Sequence, residues 1–130
     1  MGRNKIAEVG IGGWGKNIVR VCAELEILVA ICDQDSKKCA LYSYEYNVPA
    51  KTWTEILADK TINAVVIVLP ANLHEQYTTE ALLANKHVFV EKPLAMSHTA
   101  AQELSRICLN HNKILMVGHI LQYHNAYIKL

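Results

Sequence analysis

The chain has 130 residues, and its 13 Lys and Arg against 12 Asp and Glu leave a net charge of +1. That length suits one domain, and the charge balance offers no field to hold a nucleic-acid backbone or an anionic membrane. Hydrophobic residues make up 52% with no low-complexity tract, which excludes a disordered or fibrous chain.

Apolar, β-favouring runs bounded by turn residues recur at Ile6–Val9, Ile27–Cys32, Ala64–Leu69, His87–Val90 and Ile114–Val117, and predict strands. Helical spacing falls between them, at Asn17–Leu25, Lys37–Tyr46, His74–Ala84 and Thr99–Leu109. The tyrosines at 42, 44 and 46 also fit a period of two, but the N-cap types Asp35 and Ser36 before them and Val48-Pro49 after them favour a helix. Lys51–Trp53 reads as a short strand leading into a helical turn at Thr54–Ala58 capped by Thr54. The unbroken apolar run Val65 to Leu69 is what a parallel strand covered on both faces requires. Alternation of strand and helix therefore predicts an α/β fold with a parallel sheet, and Ile114–Val117 is expected as a buried strand near its edge.

Directly after the first strand, Gly10, Gly12 and Gly15 fit G-x-G-x-x-G. Gly10 would permit the tight turn, Gly12 would let the backbone approach a pyrophosphate, and Gly15 would let the next helix pack closely. Backbone N–H groups near Gly13 and Trp14 would then face the phosphates at the positive end of that helix. Glycine-rich turns also close ordinary strand-to-helix loops. Here the second strand ends at Asp33, 23 residues past Gly10, close to the spacing of the carboxylate that binds a dinucleotide ribose. No Arg follows Asp33, so NAD is favoured over NADP. The alternative is that Asp33 only begins a turn and caps the next helix.

The strand Val88–Val90 runs into Glu91-Lys92-Pro93, at the strand end where open α/β sheets bind ligands. An ammonium there can carry a proton while a nicotinamide takes a hydride. Spacing alone leaves an equal alternative, a surface lysine paired with Glu91.

The glycine turn, Leu69-Pro70-Ala71-Asn72-Leu73-His74, Glu91-Lys92-Pro93-Leu94-Ala95 and Val117-Gly118-His119 together resemble the N-terminal half of the glucose-fructose oxidoreductase, inositol dehydrogenase and MocA family. The resemblance implies a Rossmann-type doubly wound parallel sheet that binds NAD and serves hydride transfer to or from a hydroxyl of a sugar or nucleotide sugar. Residues 13–17 and 118–124 look most like the branch that oxidises the 3-hydroxyl of UDP-2-acetamido-2-deoxyglucuronate, although Asn125 stands where that branch commonly has Pro.

Carried over by position, the resemblance gives Gly10, Gly12, Gly13, Trp14 and Gly15 the pyrophosphate and Asp33 the ribose. Leu69, Pro70 and His74 would line the cofactor cleft with Glu91 beside it, Lys92 takes the place of the family's catalytic lysine, and His119 and Tyr123 fall toward the substrate side. Residues 1–119 would be the NAD-binding domain and 120–130 the start of a connection to the family's second, substrate domain, which lies outside this chain. The chain alone is then expected to be catalytically incomplete. A different class of reading is a stand-alone NAD-binding regulatory or interaction module without turnover.

The longest apolar run, residues 64–71, is short of the ~20 residues of a membrane span, and the N-terminus shows no signal-peptide pattern. Ile6 stands where a myristoylation motif starting at Gly2 needs Ser or Thr. Cys22, Cys32, Cys39 and Cys108 form no Cys-x-x-Cys pair, so reduced thiols in a cytoplasmic protein are expected. The six histidines show no metal-ligand spacing, so no metal is expected. His87, His98 and His111 are expected in solvated or local roles, and Lys37-Lys38 on a solvated helix face. The tail carries Ile120, Leu121, Tyr123, Tyr127, Ile128 and Leu130, more apolar surface than a free terminus normally shows, and self-association through it into a homo-oligomer is expected.

Overall fold

The computed structural model describes residues 4–119. Five parallel strands, β1 (Ile6–Val9), β2 (Leu28–Cys32), β3 (Ala64–Ile67), β4 (His87–Glu91) and β5 (Leu115–Gly118), form one sheet in the order β2-β1-β3-β4-β5. The helices are α1 (Gly15–Glu24), α2 (Ser36–Tyr46), α3 (Trp53–Ala58), α4 (His74–Leu83) and α5 (His98–Asn110), with a short 3-10 turn at Ala71–Leu73. The doubly wound α/β architecture expected from the sequence is the one observed.

The two faces of the sheet are filled from different helices. Val19 and Cys22 of α1, with half-buried Tyr42 and Tyr46 of α2, pack on Leu28 and Ile31. Ile56 of α3, Ala81 and Leu82 of α4 and Cys108 of α5 pack on Ala7, Val65, Ile67, Val88 and Val90 on the other side. Burial of these side chains is the main favourable term holding the layers together. Glu8, Val66, Phe89 and Met116 lie abreast across β1, β3, β4 and β5 on the α1 side. Beyond α1 that face holds a shallow cavity of about 480 Å³ lined by Val66, Phe89, Ile114 and Met116.

Helix ends explain several boundaries. Asn47, Asn85 and Asn112 take left-handed backbone angles just past α2, α4 and α5, where Asn tolerates that region better than most residues. Asp35 caps α2, its carboxylate accepting from the N–H groups of Lys37 and Lys38.

Two expectations are corrected. The stretch at Lys51–Trp53 is not a strand: Ala50 makes a single bridge to Ile31, and Thr52, not Thr54, caps α3 through a capping box with Glu55. The T-x-x-E spacing of Thr52 and Glu55 satisfies two helix donors reciprocally, which Thr54 in the same place would not. β5 is indeed at the sheet edge, but it is only half covered, with Met116 41% and Ile114 67% exposed. No helix among the described residues is long and apolar enough to cross a membrane.

Candidate functional site

Because all five strands run the same way, the loops after β1, β2, β3 and β4 come to one end of the sheet. Chain order reverses between β1 and β3, since β1 leads to β2 on one side and has β3 on the other; such a switch point opens a crevice for a ligand.

The glycines of the first loop divide into two kinds. Gly10 has φ +98°, and a Cβ on it would stand 2.0 Å from the carbonyl oxygen of Val68. A Cβ on Gly15 would stand 2.0 Å from the carbonyl oxygen of Gly10. These two are demanded by the fold itself. A Cβ on Gly12 or Gly13 would meet nothing within 4 Å. Among the described residues the N–H groups of Gly12, Gly13 and Trp14 have no hydrogen-bond partner, and they stand at the N-terminal end of the ten-residue α1. Open space over unpaired donors at a helix N-terminus is what a pyrophosphate fits.

Asp33 ends β2 beside this turn. Its Oδ2 accepts from Ile11 N–H at 2.7 Å, and its Oδ1 accepts from Asp35 N–H at 2.8 Å. It therefore does begin a turn, as the alternative reading had it, but the helix cap is Asp35. The Ile11 bond locks the carboxylate against the glycine turn, and Gly10, Gly12, Asp33, Leu69 and Pro70 line one cleft of about 230 Å³. Lys38 and Tyr77 line it too. Neither is marked as a cleft residue by the sequence; Lys38, in the first turn of α2, is exposed as expected and reaches the cleft as well.

Cys32 also lines this cleft, and its thiol is pushed up to about 11, first by burial and then by the neighbouring Cys39, Asp33 and Glu55. It stays a neutral thiol at physiological pH and is no nucleophile.

His74 lies behind the cleft wall rather than on it. The ring is 1% exposed, with Nε2 2.7 Å from the carbonyl oxygen of Leu69 and Nδ1 2.6 Å from that of Pro93. Both nitrogens are engaged, so His74 ties the loop after β3 to the loop after β4 and offers nothing to a ligand.

The loop after β4 is drawn to the glycine turn by one bond across 77 residues: the Trp14 indole N–H donates to Glu91 Oε1 at 2.9 Å. Gly118 makes room for that carboxylate, since a Cβ there would stand 2.5 Å from Glu91 Oε1. Trp14 remains 46% exposed, so its ring faces the solvent side of the turn. Lys92 is exposed and makes no ion pair among the described residues, so the pairing with Glu91 that spacing allowed is absent. His119 ends the described chain beside this loop, its N–H donating to Val117 O; Tyr123 lies outside the described residues.

Residues 4–119 match the oxidoreductase family with an NAD-binding Rossmann fold, GFO_IDH_MocA. The chain belongs to this family. It is similar to the 2,7-anhydro-N-acetylneuraminate hydratase of Mediterraneibacter gnavus, at 29% identity over 90% of this chain and 32% of that protein. It is also similar to the structure of scyllo-inositol dehydrogenase from Lactobacillus casei with bound NAD(H) and scyllo-inositol, at 26% identity and TM-score 0.88 over 97% of this chain and 39% of that one. UDP-N-acetylglucosamine 3-dehydrogenase from Acidithiobacillus ferrooxidans aligns at 25% identity and TM-score 0.89 over 96% of this chain and 41% of that one. The chain thus spans about a third to two-fifths of the length of these GFO_IDH_MocA relatives, and the match covers their NAD-binding domain. Among the described residues no cluster of three or more His, Cys, Asp or Glu could hold a metal ion.

Proposed function

We propose that the chain is the cofactor half of a cytoplasmic dehydrogenase that moves a hydride between NAD and a hydroxyl of a sugar or nucleotide sugar. The observation that carries this is the open space above Gly12 and Gly13 next to a carboxylate fixed at the end of β2. Gly12, Gly13 and Trp14 would bind the pyrophosphate through their N–H groups, and the remaining lone pairs of Asp33 would accept from the ribose hydroxyls. Leu69 and Pro70 would form the apolar side of the cleft. The nicotinamide, when bound, supplies the hydride acceptor. Lys92 would hold a proton near the reacting hydroxyl, and Trp14 would position it indirectly by fixing Glu91. Residues 1–119 would make up this half and 120–130 begin the connection to a substrate domain that holds most of the sugar contacts.

The finer substrate reading is the 3-hydroxyl of UDP-2-acetamido-2-deoxyglucuronate, supported by the motifs at residues 13–17 and 118–124 and by the similarity to a UDP-sugar 3-dehydrogenase.

The test is Lys92→Met in a full-length protein containing this chain. Affinity for NADH is expected to stay within about threefold, while turnover falls about 100-fold or more, the range for loss of a positioned proton carrier. Turnover within tenfold of the parent would assign proton transfer to another group.

A further inference from the structure

At the opposite edge of the sheet, where the strands begin, lies a pocket of about 590 Å³ that the cofactor reading does not use. Its polar lining is Lys60, Asn63, Asn85, Lys86, His87 and Lys113, and no carboxylate lines it. The acceptor atoms of these side chains are turned to other partners. Asn63 Oδ1 accepts from Lys5 N–H at 2.8 Å, and His87 Nδ1 accepts from Ile114 N–H at 3.0 Å, which leaves the His87 proton on Nε2. Asn85 Oδ1 faces His111 Nδ1 at 3.4 Å. Of these side chains, the donors remain for the pocket.

Lys86 sharpens the point. It is 2% exposed and donates to the main-chain carbonyls of Asp59 and Ile62, which leaves one ammonium proton unassigned. The carboxylate that acts on it, Asp59, is engaged by Lys51 at 3.2 Å and by Thr61. Three ammonium groups therefore line one concave site whose lining holds no carboxylate, the Asp59 charge acting on Lys86 from outside it. Burial lowers the Lys86 pKa, Asp59 acts against that, and the charge of Lys113 lowers it further. An anion seated among them would relieve that opposition.

We propose that this pocket binds a phosphoryl group, with Lys60 and Lys113 as its direct cationic contacts and His87 Nε2–H and the Asn63 amide as neutral donors. Lysine ammonium groups are compact point charges suited to phosphate, and the absence of a carboxylate in the lining leaves them free to meet an anion. The site is separate from the glycine turn, at the starts of β3, β4 and β5.

Residue-resolved amide shifts of the 130-residue chain test it. Inorganic phosphate is titrated at constant ionic strength against sodium chloride, with saturating NADH present so that the glycine turn is filled. Shifts are expected to saturate at Asn63, His87, Lys113 and Ile114 while Gly12 and Trp14 stay in place. Lys60→Gln with Lys113→Gln is expected to weaken binding by about tenfold or more, with Lys86 left intact because it clamps the fold. Methyl phosphate matching the inorganic ion supports a phosphate ester as ligand, and binding of the inorganic ion alone supports free phosphate. Shifts reproduced by sodium chloride, shifts that do not saturate, or shifts indifferent to the double substitution would overturn the proposal. Failure of NADH to bind would count against the cofactor reading only, since the pocket's own amides still decide the matter.

Discussion

The two kinds of glycine in the dinucleotide turn should behave oppositely when a methyl group is added. At Gly10 the methyl group of Gly10→Ala meets the Val68 carbonyl at 2.0 Å, and the residue must hold φ +98°. Left-handed backbone costs an L-residue about 1–2 kcal/mol, and forcing a methyl into packed structure costs about 1–3 kcal/mol more. The sum is about 2–5 kcal/mol, which for a domain of this size lowers Tm by about 8–20 °C. At Gly12 the added methyl finds no atom within 4 Å and the backbone is not left-handed, so Gly12→Ala should melt within about 2 °C of the parent. Thermal unfolding by circular dichroism, without nucleotide, reads both. If Gly10→Ala melts with the parent, or Gly12→Ala falls as far as Gly10→Ala, the division of the turn into folding and ligand-facing glycines is wrong.

Glu8, fully buried in β1 with neither side-chain oxygen hydrogen-bonded, has its pKa pushed up to about 9 by burial. The folded state then holds a proton that the unfolded state has released above about pH 4.5, so stability is fully present below that value and falls as pH rises toward 9. Glu8→Gln should therefore raise Tm relative to the parent at pH 8 and not at pH 4.5, and an equal difference at both values would refute the assignment. We propose that the chain self-associates through the face that holds the apolar cavity beside β5 and the exposed Met116 and Ile114, together with the apolar residues of the tail. Sedimentation should show association for the 130-residue chain that is lost when it ends at His119, and a strict monomer in the first case would exclude it. Steady NADH production from UDP-2-acetamido-2-deoxyglucuronate should be absent with this chain alone, because binding and orientation of substrate provide much of the rate; sustained turnover would show that no further domain is needed.

Much of this architecture can be read from local pattern. The strand cores, the glycine turn and Asp33 are visible because period, turn chemistry and spacing are short-range signals. Features that depend on the assembled sheet are not. Nothing in Ala7-Glu8-Val9 says that Glu8 is enclosed without a partner, and nothing near Trp14 points to Glu91. His74 reads as a cleft residue until the two carbonyls that bracket it come together from different loops. Lys38 is solvated as its helix face suggests, and only the turn after β2 brings it to the rim of the cleft as well. The capping box at Thr52 and Glu55 was legible and simply competes with Thr54.

The central claim, an NAD site formed by the open part of the glycine turn and Asp33, is tested most directly by calorimetric titration of the chain with NADH and with NADPH. One-site binding of NADH is expected, tighter than NADPH because the Asp33 carboxylate repels a 2′-phosphate, and abolished in Gly12→Val, whose side chain fills the pyrophosphate path. Lys38, which lines the same cleft, opposes that preference and makes the comparison a demanding one. Equal or tighter binding of NADPH, or NADH binding that survives in a folded Gly12→Val, would contradict it.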